Sequence, residues 1–200
     1  IDEKGNVLNG EEIIFIFAKH YLHEKKIKKG SVLITNEVAN HGLDIALKKL
    51  GLKLKRVKVG DKNILKEILD NKYFFGGEPS GHFIFKDDIL IGDGMATAIR
   101  LLTLILKEKK KLSVLRNGID LLEELNINQR IDRERFYLNQ ESIYKKLNIL
   151  LKNLDIYYNI RPSGTEPLLR VNLQYHKRNI KVITLNKLKK QIIKVISDAC

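Results

Sequence analysis

The three prolines of the chain, Pro79, Pro162 and Pro167, all lie in two short loops that also carry side chains able to bind a ligand. Proline fixes the φ angle and removes a backbone donor, so both loops have a restricted backbone. A chain that has no other proline therefore holds its backbone rigid where its polar side chains are gathered.

The later loop, residues 161–167, has the sequence RPSGTEP and lies between two predicted strands. Arg161 can bind a phosphate group in a bidentate fashion, and the hydroxyls of Ser163 and Thr165 can donate to it. Backbone amides around Gly164 can bind the remaining phosphate oxygens. The alternative is a rigid turn with a surface arginine, and residue chemistry alone leaves both interpretations open.

The earlier loop, residues 76–82, has the sequence GGEPSGH. Its three glycines allow a ligand to approach the backbone closely. Glu78, Ser80 and His82 supply a carboxylate acceptor, a hydroxyl and an imidazole, a set that can bind neighbouring hydroxyls of a sugar. The alternative is a strand turn with a capping carboxylate, which composition alone favours.

The pattern of the first half predicts alternating helices and strands. Asp61 and Asp93 are predicted N-caps of two of the helices. Met95, Ile99, Leu102 and Leu106 are apolar positions of the second of these. The predicted helices cover 11–25, 41–50, a segment from 61 and a segment from 93, and the predicted strands cover 31–35, 52–59, 73–75 and 82–85.

The second half is less regular. It is predicted to contain helices over 112–125, 141–150 and 185–199, one or two short strands within 127–138, and strands over 155–160 and 168–175. The sequence therefore predicts an α/β fold: a mixed-sheet α/β domain over residues 1–113, followed by a smaller α+β domain with an antiparallel sheet over residues 114–200.

The net charge is +13, which would favour nucleic acid, an anionic membrane surface or a phosphorylated substrate as a partner. The excess is spread through both halves and is rich in Lys, so a compositional bias explains most of it. A nucleic-acid-binding module is the competing class, but it rests on charge alone, without a zinc-finger spacing or an aromatic-interleaved basic strand. We expect no specific nucleic-acid partner.

A soluble, cytoplasmic protein without a membrane partner is expected. No apolar run reaches the roughly 18 residues that a membrane span needs. The one cysteine, Cys200, cannot form an internal disulfide, and the sequence opens without a leader segment. His20 and His23 share a predicted helix but lack a visible third metal ligand, and Asp87-Asp88 makes a poor magnesium site.

Taken together, the two loops resemble those of the α-D-phosphohexomutase superfamily. GGEPSGH is similar to the sugar-recognition loop, written GGEQSGH in phosphoglucosamine mutases. RPSGTEP, followed by Leu168-Leu169-Arg170-Val171, matches the phosphate-binding loop. Residues 2–6, 59–62 and 92–94 resemble the stretch after the metal loop, the segment before the sugar loop and the turn after it.

The resemblance implies a four-domain enzyme whose third and fourth domains this chain supplies. It would move phosphate between the 6 and 1 positions of glucosamine phosphate, through a bisphosphate and an enzyme phosphoserine. Phosphomannomutase or phosphoglucomutase of the same superfamily is the alternative. The implied partners are a hexose phosphate and the N-terminal half, which would carry the serine and Mg²⁺; the fragment alone is expected to be inactive, and its oligomeric state stays open.

The resemblance also implies roles for individual residues. Glu78 and Ser80 would bind sugar hydroxyls, and Lys62 and His82 would move a proton or steady the reactive phosphate. Alternatively, Lys62 is a surface lysine and His82 packs beside a strand. Pro79 stands in place of the usual Gln, which leaves the sugar preference open. The residues implied to bind the non-reacting phosphate are Arg161, Ser163, Gly164, Thr165 and Arg170.

Overall fold

A computed structural model describes residues 1–87, 90–180 and 182–200, and these divide into two compact units, Ile1–Leu121 and Leu122–Cys200. Asp88, half of the Asp pair considered above, lies outside the described residues. The division falls a few residues after the predicted boundary at 113/114, because Leu115 and Ile119 are buried in the core of the first unit.

The first unit contains a four-stranded mixed sheet in the order β2-β1-β3-β4. Strand β1 pairs in parallel with β2 and β3, and β3 pairs antiparallel with β4. The elements are α1 Gly10–His23, β1 Val32–Asn36, α2 Gly42–Lys49, β2 Lys53–Val57, α3 Asp61–Asn71, β3 Phe75–Gly77, β4 Phe83–Phe85, α4 Gly94–Glu108 and α5 Leu112–Leu115.

An aromatic cluster joins α1 to the sheet. Phe17 of α1 is buried, and its ring makes edge contacts with Phe75, Phe83 and Phe85 at centroid distances of 6.2, 6.1 and 5.1 Å. The helix begins in a capping box, in which Asn9 and Glu12 each accept from the other's backbone amide. This cluster fixes α1 against β3 and β4, the two strands that carry the GGEPSGH loop.

The two predicted N-caps have different outcomes. Asp93 is confirmed, since its carboxylate accepts from the amides of Met95 and Ala96. Asp61 is wrong as a cap: it is the first residue of α3, and Gly60 is the cap, with φ 122° and no side chain to offer. The Asp61 carboxylate accepts instead from the amide of Lys62 at 2.7 Å.

Helix α4 carries apolar side chains on two faces. Leu104 is buried, and Leu101 and Ile105 pack against the core of the unit. The apolar positions predicted from the sequence lie on the other face and are largely exposed: Met95 76%, Ile99 63%, Leu102 60% and Leu106 76%. We name these four residues the α4 apolar face.

Polar substitution on the α4 apolar face should leave folding intact. Ile99→Gln with Leu102→Gln is expected to change the free energy of unfolding by no more than about 0.5 kcal/mol, because both side chains are already in water. Leu104→Ala, on the same helix but 2% exposed, should cost about 2–5 kcal/mol. Urea denaturation compares the two, and an equal loss in both variants would contradict the assignment of faces.

The second unit contains a three-stranded antiparallel sheet in the order β5-β7-β6, with two helices. Alternate residues of β7, Leu169, Val171 and Leu173, are buried against residues of the two helices. The elements are β5 Glu123–Arg130, α6 Arg133–Leu151, β6 Ile156–Pro162, β7 Leu168–Tyr175 and α7 Val182–Ser197. The predicted fold class is confirmed for both halves.

One element prediction is wrong in this region, and another is confirmed for only part of its range. Only residues 112–115 of the helix predicted over 112–125 are helical, and β5 begins at Glu123, where it pairs with Tyr175. The strands predicted within 127–138 end at Arg130. Helix α6 follows because the Asp132 carboxylate accepts from the amide of Arg135 at 2.9 Å. Its buried face has helical spacing and comprises Phe136, Ile143, Leu147 and Leu151.

Within the part of the chain that the structure describes, no helix is both long enough and apolar enough to cross a membrane.

Candidate functional site

The GGEPSGH loop is a tight turn between β3 and β4. The amide of Glu78 donates to the carbonyl of His82 at 2.9 Å, and the amide of Gly81 donates to the carbonyl of Glu78 at 3.0 Å. Gly81 has φ +95°, a conformation that favours glycine. The amide of Gly10, at the start of α1, donates to the carbonyl of Pro79 at 3.1 Å and so ties the loop to α1.

Packing accounts for the first two glycines of the loop. A Cβ atom on Gly76 would lie 2.7 Å from Cγ2 of Ile64, and one on Gly77 would lie 2.5 Å from Cδ1 of Phe83. Both distances are shorter than carbon atoms can approach without a shift of structure. The fold therefore requires these glycines whether or not a ligand approaches the backbone.

Glu78 is buried at the centre of the loop, with 5% of its surface exposed. Its Oε1 accepts from Nδ2 of Asn36 at 3.0 Å and from the amide of Gly60 at 2.9 Å. Its Oε2 faces Oγ of Ser80 at 3.4 Å and Nδ1 of His82 at 3.5 Å. The structure thus brings together three of the residues singled out in the sequence, Glu78, Ser80 and His82.

Three loops contribute to this cluster, and they follow three neighbouring strands. Asn36 is the last residue of β1, Gly60 lies between β2 and α3, and Glu78 follows β3. In sheets with parallel strands, ligands bind beyond the carboxyl ends of those strands. Asn36 was missed by sequence reasoning, because no short-range signal links it to a carboxylate 42 residues away.

Lys62 and His82 stand differently in the structure. The side chain of His82 is 56% exposed, and its Nδ1 lies 3.1 Å from Oγ of Ser80. Lys62 is an exposed residue in the first turn of α3, two positions after Gly60. Among the described residues, no contact joins the Lys62 side chain to Glu78 or His82. Lys62 is connected to the cluster only along the chain, through the Gly60 amide that donates to Glu78.

The RPSGTEP loop belongs to the second unit and connects β6 to β7. Arg161 and Pro162 are the last residues of β6, and Arg161 lies opposite Arg170 in the antiparallel pair. The amide of Ser163 donates to the carbonyl of Leu168 at 2.8 Å, and its Oγ accepts from the amide of Glu166 at 3.3 Å. Ser163 therefore closes the loop by bonds at both its amide and its hydroxyl.

The charges around this loop are unevenly paired. Nη2 of Arg170 lies 2.5 Å from Oε2 of Glu166, whereas no carboxylate lies within ion-pair distance of Arg161 among the described residues. Nε of Arg170 is buried and has no hydrogen-bond partner in the same described part of the chain. The loop thus holds two guanidinium groups on opposed strand positions and one neutralising carboxylate.

Gly164 and Thr165 form the open part of the loop. Both are exposed, and no hydrogen bond to either amide is formed within the described ranges. A Cβ atom on Gly164 would meet no protein atom within 4 Å. Packing does not require a glycine here, unlike Gly76 and Gly77, and the open backbone leaves space for a ligand.

Arg133 is a further basic residue at this loop that the sequence did not reveal. It is the first residue of α6, and its Nη2 donates to the carbonyl of Glu166 at 3.2 Å. With Arg130 and Pro167 it lines a shallow groove of about 590 Å³. Its contact with the loop depends on the start of α6, which lies within the range 127–138 where one or two short strands were predicted.

His20 and His23 lie beside one carboxylate, Glu108 at the end of α4. Their Nδ1 atoms are 2.9 and 3.8 Å from its Oε1. Even so, no group of three or more His, Cys, Asp or Glu side chains that could hold a metal ion is found among residues 1–87, 90–180 and 182–200. The contact joins the end of α1 to the end of α4.

Glu108 is expected to stabilise the fold in a pH-dependent way. The hydrogen bond from His20, and then that from Lys110, lower the pKa of Glu108 from its ordinary value of 4.5. A lowered carboxyl pKa gives stability that is fully present above the unfolded pKa and is lost as the pH falls through the folded pKa. Denaturation of wild type and Glu108→Gln should therefore differ most above pH 4.5 and converge below it.

The exposed Glu141→Gln on α6 is the control for this measurement, and its difference from wild type should not follow that profile. A Glu108→Gln difference that is constant from pH 6 to pH 3 would contradict the assignment.

The comparisons with known proteins agree with this architecture. Residues 9–120 match the family described as phosphoglucomutase/phosphomannomutase, alpha/beta/alpha domain III. The chain therefore belongs to the phosphoglucomutase/phosphomannomutase family. The resemblance inferred from the two loops is confirmed.

Among curated relatives, a phosphoglucosamine mutase of Clostridium botulinum (strain 657) is 38% identical in an alignment of 202 positions that covers 99% of this chain and 44% of the relative. Another, of Ruminiclostridium cellulolyticum, is 36% identical in an alignment of 204 positions that covers 98% of this chain and 43% of the relative. The chain thus spans less than half the length of the curated relatives it matches, and they do not favour the phosphomannomutase alternative.

Solved structures show the same fold. Aspergillus fumigatus N-acetylphosphoglucosamine mutase, in complex with GlcNAc-6P and magnesium, matches with a TM-score of 0.76 at 14% identity, over 96% of this chain and 47% of that one. The product complex of an N-acetylglucosamine-phosphate mutase matches with a TM-score of 0.75 at 16% identity, over 94% of this chain and 44% of that one.

Proposed function

We propose that this chain is the sugar-binding and phosphate-binding part of a phosphoglucosamine mutase. The enzyme would convert glucosamine 6-phosphate to glucosamine 1-phosphate through a bisphosphate and an enzyme phosphoserine. The observation that carries the proposal is the buried Glu78 carboxylate, whose Oε1 is held by two donors while Oε2 faces Ser80 and His82. A fixed carboxylate with one oxygen turned to a hydroxyl and an imidazole suits a sugar hydroxyl.

Each loop would bind one part of the substrate. Glu78 and Ser80 would bind sugar hydroxyls, which occupy equivalent places in both orientations of the sugar. The non-reacting phosphate would be bound by Arg161, Ser163, Gly164, Thr165 and Arg170. The open amides of Gly164 and Thr165 and the unpaired charge of Arg161 support this assignment.

Proton transfer would fall to the more exposed groups. His82 lies beside both Glu78 and Ser80, so it could exchange a proton with a bound hydroxyl or donate to the reactive phosphate. Lys62 would approach the same phosphate from the start of α3. These two roles rest on the family resemblance and on the position of each residue at the carboxyl ends of the strands.

The remaining chemistry would come from the N-terminal half of the same enzyme. There a phosphoserine would transfer its phosphoryl group to the free sugar hydroxyl and take back a phosphoryl group from the other end of the bisphosphate. By the family resemblance, that other half would also hold Mg²⁺. Without the serine this chain alone would be inactive.

The α4 apolar face supports such a partner. Four large apolar side chains on one helix face are between 60% and 76% exposed, while the opposite face of the same helix packs into the core. Faces of this kind mark protein interaction sites. We propose the N-terminal half as its occupant, since the curated relatives are more than twice as long as the matched region.

A cytoplasmic location stays a prediction, and the lone Cys200 is its support.

The function is tested by titrating the chain with glucosamine 6-phosphate, mannose 6-phosphate and inorganic phosphate while following backbone amide shifts by NMR. We expect glucosamine 6-phosphate to bind most tightly, with shifts at residues 77–82 and 161–167, and inorganic phosphate to shift only 161–167. Preference for mannose 6-phosphate would favour the phosphomannomutase alternative. A folded chain without shifts at either loop up to millimolar ligand would count against the proposal.

A further inference from the structure

We infer that Asn36 is a positioning residue for the sugar-binding carboxylate, and that Glu78 receives the sugar through Oε2 alone. The inference rests on the proposed function and adds a residue that the two loop motifs do not contain. Asn36 lies at the end of β1 with 3% of its surface exposed. It contacts the GGEPSGH loop through its hydrogen bond to Glu78.

The amide of Asn36 is fixed at both ends. Its Oδ1 accepts from the backbone amide of Val38 at 3.2 Å, so its Nδ2 is the group that faces Glu78. Its Nδ2 then donates to Oε1 of Glu78 at 3.0 Å. The backbone is held as well, since Nη1 of Arg56 donates to the carbonyl of Ala39 at 2.7 Å and to that of Asn36 at 3.4 Å.

The two donors on Oε1 determine which oxygen of Glu78 can accept a hydrogen bond from a ligand. Asn36 and the Gly60 amide both lie at hydrogen-bond distance from this oxygen, and the whole carboxylate is buried. The remaining acceptor positions are on Oε2, where the Ser80 hydroxyl at 3.4 Å makes only a long contact. A sugar hydroxyl can take that place, so the carboxylate binds one ligand group from a fixed direction.

Glu78 also ties the sugar loop to the segment that carries Lys62. The Gly60 amide, two positions before Lys62, donates to the same oxygen as Asn36. Loss of the Asn36 donor would therefore leave the Glu78 carboxylate free to rotate. Its hydrogen bond with the Gly60 amide and its contact with the sugar would both weaken. Asn36 acts through Glu78 and not on the substrate, which separates its role from that of Glu78 and Ser80.

Asn36→Asp tests the inference in the whole chain. The new carboxylate would face Oε1 of Glu78, and two carboxylates this close cannot both ionise without a large penalty. At pH 8 we expect glucosamine 6-phosphate to bind about tenfold more weakly than to wild type at the same pH. At pH 5.5 the pair can share a proton that restores a donor to Oε1, so most of that loss should be recovered.

Two further variants complete the design. Asn36→Leu offers no donor at either pH, so its loss should be similar at pH 8 and pH 5.5. If Asn36→Asp does not fold, Asn36→Leu still tests the inference. Asn71→Asp is the matched control, because Asn71 also donates to a carboxylate, that of Glu67, but on an exposed surface. It should bind like wild type, and all variants should bind inorganic phosphate within about twofold of wild type.

Each outcome has a definite meaning. Wild type that binds glucosamine 6-phosphate at residues 77–82, with folded Asn36 variants within twofold of it at both pH values, overturns the inference and leaves the proposed function standing. A folded Asn36→Asp variant whose loss is the same at both pH values assigns Asn36 a purely structural role and also overturns it. Wild type that shows no shifts at 77–82 overturns the proposed function itself.

Discussion

Gly10→Ala is expected to destabilise the first unit by about 1–3 kcal/mol and to displace the GGEPSGH loop. A Cβ atom on Gly10 would lie 2.1 Å from the carbonyl oxygen of Glu78 and 2.8 Å from two backbone atoms of Pro79. These are backbone atoms of a rigid turn, so no side chain can rotate away. The hydrogen bond from the Gly10 amide to the Pro79 carbonyl would be lost or stretched as the turn moves.

Urea denaturation and glucosamine 6-phosphate binding measure the two effects of this substitution. Because the displaced residue is Glu78, we expect affinity to fall about tenfold along with stability. Gly94→Ala is the matched control: Gly94 is likewise the first residue of a helix, but a Cβ atom there would meet nothing within 4 Å. The control should be unchanged or up to about 1 kcal/mol more stable. Equal stability of the two variants would contradict the close contact.

Local patterns were sufficient where the determining contacts are local. Asp93 is followed directly by the apolar positions of α4, and its carboxylate binds amides two and three positions ahead. The strand predicted over 168–175 has the bounds of β7, and its residues Leu169, Val171 and Leu173 alternate on the buried face, although Gln174 is buried as well. Capping and alternation each depend on neighbours within a few positions, so the sequence alone contains the necessary information.

Asp61 shows where local information is ambiguous. An acidic residue before an apolar pattern is favoured both as an N-cap and in the first helical turn. Gly60, with φ 122°, is the N-cap, so the helix begins at Asp61, one residue earlier than it would if Asp61 were the cap. Glycine adopts many conformations, so its φ angle cannot be read from residue type.

In the segment 127–138, pairing with a distant strand determines where β5 ends. The apolar residues of this segment, Ile127, Ile131 and Phe136, fit no single period, and the strand ends at Arg130 because its last partner on β7 is Leu168. Asn36 is the same case in the site, since it meets Glu78 only through the pairing of β1 with β3. Contacts that depend on sheet register are absent from any short window of sequence.

Arg161→Ala is expected to weaken the binding of inorganic phosphate and of glucosamine 6-phosphate by about 30- to 100-fold. Arg161 and Arg170 lie opposite each other, but Arg170 already pairs with Glu166. Since no carboxylate lies within ion-pair distance of Arg161 among the described residues, its guanidinium is free to bind phosphate through two charge-assisted hydrogen bonds, which together contribute about 2–3 kcal/mol. Isothermal titration with each ligand measures the loss.

The control variant separates a specific contact from general loss of positive charge. Arg133→Ala removes one positive charge beside the same loop, where the Arg133 side chain donates a hydrogen bond to the carbonyl of Glu166. Since screened charge at that position acts weakly, we expect no more than about a threefold loss. Arg161→Lys should recover part of the affinity through charge but not the bidentate geometry. Equal losses for Arg161→Ala and Arg133→Ala would mean that the loop attracts phosphate by its overall charge, and the geometric argument for Arg161 would fail.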